Sequence, residues 1–202
     1  LPVVLIPNGV PIGIFKEHPK DTAFLIVSRL VRRKNYQLFL KALRDIRTPQ
    51  VVHIVGDGPM LTELKELATD VPQHEVHFHG WLVNGSPEWC ELYESCRFFV
   101  FPSESENFPI NLLEAQLARM VILASDIPGN REVLGNNAVY FKSLDASGVS
   151  RALMSVISCR PEEWDAMTMR AKSRVLEKYS WQSVSLSYLK LFQRTVQRTS
   201  QA

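Results

Sequence analysis

The 202-residue sequence predicts an α/β fold: a doubly wound domain on a six-stranded parallel Rossmann-like sheet, with extra helices at the C-terminal end. Three observations predict it. Apolar runs of four or five residues recur along the chain. Stretches with apolar residues at helical spacing separate these runs. The runs are apolar throughout rather than alternating, which requires a sheet covered on both faces, as parallel sheets are.

Residues 23–27 (AFLIV) read as the first strand. In 36–45, Tyr36, Phe39, Leu40 and Leu43 fall at helical spacing. Residues 51–55 (VVHIV) are the second strand, and 59–68 a helix with Leu61, Leu64 and Leu67 on one stripe. Strand three is 76–79, followed by a short helix at 89–95. Strand four is 97–101, with a helix at 110–119. Strand five is 121–124, then a helical turn at 131–134 and strand six at 138–141. The remainder reads as three helices, 147–158, 161–178 and 181–198, with a Gln/Ser/Thr-rich end from Gln197 expected to fray.

Hydrophobic residues make up 46% and charged residues 22%, which excludes a disordered chain, a collagen and a disulfide scaffold. A net charge of +2 does not favour a nucleic-acid binder. The apolar run at 98–101 is far short of the roughly 20 residues that span a bilayer. Three cysteines, Cys90, Cys96 and Cys159, without CxxC spacing, suit a reducing compartment. The chain opens on Leu1-Pro2 without Met, so a processed chain or a piece of a longer one is expected. Charge is uneven. Residues 1–60 hold nine Lys/Arg against four Asp/Glu, and 61–120 hold three against ten. The two thirds could face each other across a site for a ligand with phosphates and hydroxyls, or be solvated surface.

In a doubly wound sheet, ligands bind outside the carboxyl ends of the strands. After strand one, Arg29, Arg32, Arg33 and Lys34 lie within six residues, just before a helix N-terminus. Cations there oppose the helix dipole, and a bound phosphate would resolve the conflict. A basic solvent loop reads the same way. After strand two, Gly56 and Gly58 permit positive φ or a close backbone approach, and Pro59 suits a first helical position; a plain turn also fits. After strand four, Glu106 in the loop and Glu114 one turn into a helix can face one crevice, where acceptor-only groups suit a hydroxyl-rich ligand. Glu114 also reads as a carboxylate stabilised by its own helix dipole, and Glu104 as a solvated residue. His77 and His79 alternate on a strand, at a core edge or surface. There is no Asp-x-Asp run and no cluster at metal-ligand spacing.

These residues resemble a known family. In order along nearly the whole chain come Pro7-Asn8-Gly9-Val10, the block from Ser28-Arg29-Leu30 to Lys34, and Gly56-Asp57-Gly58-Pro59. The E-x7-E motif from Glu106 to Glu114 with Ala115 follows, then Pro128-Gly129-Asn130-Arg131-Glu132 and Tyr179-Ser180-Trp181. The sequence resembles the C-terminal, donor-binding domain of a GT-B-fold glycosyltransferase of family 4, the glycosyl transferases group 1 type.

The resemblance implies a retaining hexosyltransferase with a nucleotide-diphospho-sugar donor, no metal or other cofactor, and no nucleic-acid partner. It implies that Arg29 and Lys34 bind the diphosphate, Glu106 the sugar hydroxyls and Glu114 the ribose hydroxyls. Arg29, Lys34 and Glu106 would form the catalytic set. Asn107 and Phe108 would line the sugar and phosphate, Trp81 would lie near the base, and Gly56 and Gly58 would complete the donor site. An acceptor glycan or lipid-linked sugar would be held by an N-terminal domain absent from this chain. Residues 1–15 would be the hinge from it, 16–178 the nucleotide-sugar-binding domain and 179–202 a C-terminal helix. The full enzyme would be cytoplasmic, with peripheral contact at the inner membrane face, and this chain alone would transfer no sugar. Where the family often has E-G-F-G, this chain has Glu106-Asn107-Phe108-Pro109, with Asn107 suited to a left-handed conformation and Pro109 lacking an N–H. Asn136-Asn137 replaces a glycine turn. Two alternatives are a non-catalytic nucleotide-sugar-binding module, which the absence of an N-terminal half in the gene would favour, and a GT-B-fold sugar-nucleotide epimerase, which acceptor-independent donor turnover would favour.

Overall fold

The structure is a computed structural model and describes residues 3–199. Six parallel strands form one sheet: β1 (Asp21–Val27), β2 (Val51–Val55), β3 (Glu75–Gly80), β4 (Cys96–Phe101), β5 (Val121–Ser125) and β6 (Val139–Phe141). Their order is β3-β2-β1-β4-β5-β6. The chain winds one way from β1 to β3, crosses back, and winds the other way from β4 to β6. The switch point therefore lies between β1 and β4.

Side chains on successive strand positions point to opposite faces, so each strand feeds two cores. Phe24, Ile26, Val52, Ile54, Phe98 and Val100 face one way. There they meet α1 (Tyr36–Leu43), α2 (Leu61–Thr69) and α6 (Ala146–Ile157). Leu25, Phe99, Phe101, Ile122 and Ala124 face the other way. Against them pack α3 (Pro87–Ser95), α4 (Ile110–Leu117), α5 (Pro128–Leu134) and α7 (Pro161–Lys178). The fully apolar runs are thus explained by two buried faces.

Helix boundaries follow local chemistry. Ser86 Oγ accepts the Trp89 N–H at 3.3 Å, with Pro87 at the first helical position, so α3 starts two residues before the expected 89. Asp145 caps α6 by accepting the Gly148 N–H at 2.7 Å. α2 starts at Leu61 rather than Pro59, because residues 57–60 are consumed by a turn in which the Leu61 N–H bonds the Gly58 carbonyl at 3.0 Å. The expected turn at 131–134 is a seven-residue helix from Pro128. A 3-10 turn at Arg32–Lys34 precedes α1 and has no counterpart in the sequence pattern.

Val10 closes the domain. Its N–H bonds the Tyr179 carbonyl at 2.8 Å, and its carbonyl accepts the Trp181 N–H at 3.2 Å. The arriving chain is thus clasped to the junction of α7 and α8 (Trp181–Thr199). The helix runs through Gln197, where fraying was expected; residues 1, 2 and 200–202 of the predicted hinge and tail lie outside the described residues. Among the described residues, no helix is long and apolar enough to cross a membrane.

Candidate functional site

The loops after β1 and β2 are tied together by backbone hydrogen bonds. Ser28 N–H bonds the Val55 carbonyl at 3.1 Å, Leu30 N–H the Asp57 carbonyl at 2.8 Å, and Met60 N–H the Leu30 carbonyl at 3.0 Å. Gly56 N–H reaches the Gly80 carbonyl at 2.7 Å, which adds the loop after β3. Gly56 and Gly58 have φ 135 and 152. A Cβ on Gly56 would collide with the Ser28 carbonyl oxygen, and one on Gly58 with that of Leu30. Both glycines are therefore required by the approach of the two loops.

These loops and the start of α4 enclose a cavity of about 270 Å³. Arg29, Gly56, Trp81, Ile110, Asn111 and Glu114 are among its walls. Asn111 Nδ2 donates to the Val27 carbonyl at 2.7 Å, which anchors the helix start to the end of β1. α4 has no side-chain cap and no acidic residue in its first turn, so its positive end is left to whatever enters the cavity.

Glu114 is only 8% exposed. It accepts the Tyr93 hydroxyl at 3.1 Å, and burial pushes its carboxyl up to about 7. Burial and the adjacent Glu114 hold the Tyr93 phenol well above its ordinary value, so it stays a donor. Sequence reasoning misses Tyr93 as a site residue. Its place on α3, among apolar residues at helical spacing, reads as core.

Glu106 lies elsewhere. It accepts Lys34 Nζ at 2.5 Å and Ser103 Oγ at 2.6 Å, with Arg33 at 3.6 Å. Lys34 is 8% exposed and sits 4.7 Å over the Phe101 ring. Burial pulls its ammonium down, opposed by Glu106. Lys34 and Arg33 line a second cavity, and Arg29 is in the walls of both. Glu114 is in the wall of the first cavity, whereas Glu106 is in the wall of neither and touches the second through Lys34.

The four cations differ in what they already hold. Arg32 makes a two-point contact with Glu63, at 2.8 and 3.3 Å. Arg33 donates to the Ser105 carbonyl at 2.7 Å. Arg29 is exposed, and its guanidinium makes no hydrogen bond or ion pair among the described residues. Asn35 leads into α1 at φ 57, and the helix has neither a side-chain cap nor an acidic residue in its first turn.

That left-handed residue corrects another expectation. Asn107 is not at positive φ; among non-glycine residues described, only Asn35 and Arg119 are. The turn before β6 uses Gly135 at φ 58 rather than Asn136-Asn137. Asn107 is exposed, and Phe108 stands edge-on to Tyr179 at 5.5 Å. Neither is a wall of the two cavities, and nor is Gly58, whose role is the loop contact. Gly129 lets the Glu106 carbonyl lie against the start of α5, where a Cβ would collide with it. Glu104 is exposed as expected, although it accepts Asn35 Nδ2 at 3.1 Å.

His77 and His79 do share a face of the edge strand β3. His53 joins them from β2, with its Nδ1 2.9 Å from His79 Nε2 and its ring stacked on His77 at 5.1 Å. Burial, then the neighbouring rings, push His53 down to about 4. Among the described residues, no group of three or more His, Cys, Asp or Glu is placed to hold a metal ion.

Known proteins are similar to this chain in sequence and in fold. The chain is 27% identical over 197 residues to one subunit of the phosphatidylinositol N-acetylglucosaminyltransferase of Arabidopsis thaliana, covering 91% of this chain and 42% of that protein. It is 28% identical over 204 residues to a phosphatidyl-myo-inositol mannosyltransferase of Mycolicibacterium smegmatis, covering 94% and 51%. The chain thus spans about half the length of these relatives. In fold, it matches the sucrose-phosphate synthase of Thermosynechococcus elongatus with TM-score 0.83 and 20% identity, over 96% of this chain and 53% of that one. It matches Anabaena HepE, solved in complex with UDP and glucose, with TM-score 0.81 and 17% identity, over 94% and 56%. The model of one family matches residues 13–174, which takes in every strand and every loop of the candidate site, and the chain belongs to that family, the glycosyl transferases group 1.

Proposed function

We propose that this chain is the donor-binding half of a retaining glycosyltransferase and takes a nucleotide-diphospho-sugar at the carboxyl ends of β1, β2 and β3. The observation that carries the reading is the convergence of Arg29, Trp81, Glu114 and the uncapped start of α4 on one cavity. The aromatic face of Trp81, 68% exposed, suits a base. Glu114 suits ribose hydroxyls, since a carboxylate offers only acceptors. Arg29 and the first amides of α4 suit a diphosphate. The complex of HepE with UDP and glucose supports this choice of ligand.

The sugar would lie toward Glu106. Lys34 has three N–H donors and gives one to Glu106, so two remain for diphosphate oxygens. As the glycosidic bond to the diphosphate breaks, negative charge grows on the leaving oxygen. Fixed cations at Arg29 and Lys34 then stabilise the transition state more than the ground state, the role a metal plays elsewhere. The acceptor would come from a further domain, so the chain alone would bind donor without transferring sugar. Calorimetry with UDP, GDP and ADP, and with their common sugar conjugates, tests the reading. At least one nucleoside diphosphate should bind; no heat from any of them at low salt would overturn it, and sugar transfer by the 202-residue chain alone would overturn the division of labour.

A further inference from the structure

A third cavity, of about 270 Å³, lies at the opposite, N-terminal ends of the strands. Its walls are the segment that leads into β1, the end of α4, the starts of β4 and β5, and one face of α7. On α7, Trp164, Thr168 and Lys172 recur every four residues and so share that face. The six residues of β4 put the two ends of the sheet roughly 20 Å apart. A ligand at the donor loops does not reach this place.

The walls are strongly cationic. Lys16, Lys20, Arg97, Arg119 and Lys172 contribute to them, against the carboxylates of Glu17 and Asp165. Both carboxylates are at the rim: their side chains are 70% and 63% exposed, and they pair with Lys172 at 3.0 Å and Arg119 at 3.2 Å. Lys20 adds charge but no free donor, because its Nζ donates to the carbonyls of Tyr93, Glu94 and Cys96 at 2.7, 2.9 and 3.1 Å.

The inner donors are the decisive feature. Eight buried side-chain N and O atoms lack a hydrogen-bond partner among the described residues, and three of them are on residues in the walls of this one cavity: Arg97 Nε, Arg119 Nε and Trp164 Nε1. All three are N–H donors. Buried donors without acceptors are rare, and each calls for an explanation. Arg97 is held in place by its Nη2, which donates to the Lys20 carbonyl at 2.7 Å. Arg119 occupies φ 56 just past the C-cap of α4, a position where glycine is favoured, and the chain sets a guanidinium there.

We propose that this cavity binds the phosphate monoester of a small organic molecule. The phosphate oxygens accept from the Arg97, Arg119 and Trp164 N–H groups. Three acceptor oxygens and a charge near −2 match three donors and an excess of cations better than a carboxylate does. The apolar walls, with Phe15 and Leu117, take the organic part. This proposal is independent of the donor reading, because it uses none of the same residues.

The test is calorimetric titration of the 202-residue chain with glycerol 3-phosphate, with glycerol as control. One equivalent of glycerol 3-phosphate should bind, and glycerol should not. Arg119→Gly keeps the left-handed backbone and removes the guanidinium, so it should weaken binding by about tenfold without loss of melting temperature. Trp164→Phe keeps the aromatic packing and removes only the N–H, and should weaken binding by about threefold. Arg29→Ala, which acts at the donor loops at the other end of the sheet, should leave the affinity for glycerol 3-phosphate unchanged. Sedimentation with phosphatidic acid vesicles, lost in Arg119→Gly, would show that the monoester can be lipid-borne; soluble binding without sedimentation would show a free one. Absence of binding, equal binding by Arg119→Gly and Trp164→Phe, or loss of binding in Arg29→Ala would overturn the proposal.

Discussion

Replacing Glu114 with Gln should make the domain more stable and bind nucleotide less well. The unfolded carboxyl ionises near 4.5 and the folded one near 7, because burial resists the charge. The folded state thus holds the proton more tightly. The stability this group contributes is fully present below about pH 4.5 and is lost as pH rises through about 7. At 1.36 kcal/mol per pH unit, the loss is of order 3 kcal/mol. Gln has the same shape, keeps an oxygen for the Tyr93 hydroxyl and has no charge to desolvate. Urea unfolding of both proteins from about pH 5 to about pH 8 reads the effect directly. The stability gap in favour of Glu114→Gln should open with rising pH by about that amount, while its affinity for a nucleoside diphosphate at about pH 8 should fall by roughly tenfold. A gap that stays flat across this range would refute the desolvation argument. Unchanged affinity would refute the ribose assignment.

Arg29→Ala should leave the melting temperature unchanged, since the Arg29 side chain holds no partner in the domain, yet weaken nucleoside diphosphate binding by roughly tenfold. In the same calorimetric series, EDTA should have no effect and added salt should weaken binding; dependence on a divalent metal would contradict the role given to the cations. Glu106→Gln removes the charged partner of buried Lys34, so stability should drop by about 1–3 kcal/mol, and binding should fall for the sugar conjugate more than for the plain diphosphate. Equal loss for the two ligands would separate Glu106 from the sugar. Gly56→Ala should destabilise the domain by on the order of 3 kcal/mol, because its Cβ meets the Ser28 carbonyl at a φ of 135; a normal denaturation midpoint would show that the loops can separate at little cost.

The strands are legible because two buried faces leave an uninterrupted apolar run, and AFLIV or VVHIV has no other simple reading. Their order in the sheet is not written in any one run; it follows from the direction of each crossover. α5 reads as little more than a turn because Pro128-Gly129-Asn130 carries turn residues. Each has a different task in the structure: Pro128 opens the helix, Gly129 admits the Glu106 carbonyl, and Asn130 Nδ2 bonds the Ser125 carbonyl at 3.0 Å. At the site, Arg29, Gly56, Trp81 and Glu114 can be brought together on paper, because the ends of parallel strands share one edge. The pairings Lys34–Glu106 and Tyr93–Glu114 cannot, since they join residues 72 and 21 apart through contacts that leave no periodic trace.

The clasp at Val10 gives the domain the character of a cassette. Val10 lies between Tyr179 and Trp181, so the segment that precedes the sheet and the link between α7 and α8 meet at one junction. Such a unit can be moved between longer polypeptides without cutting a strand. The junction is also not remote from the chemistry: Tyr179 touches Phe108, two residues from Glu106, and its hydroxyl donates to the Glu132 carbonyl on α5 at 3.1 Å. Whatever is spliced to the cassette is therefore plugged in next to the loop that carries Glu106.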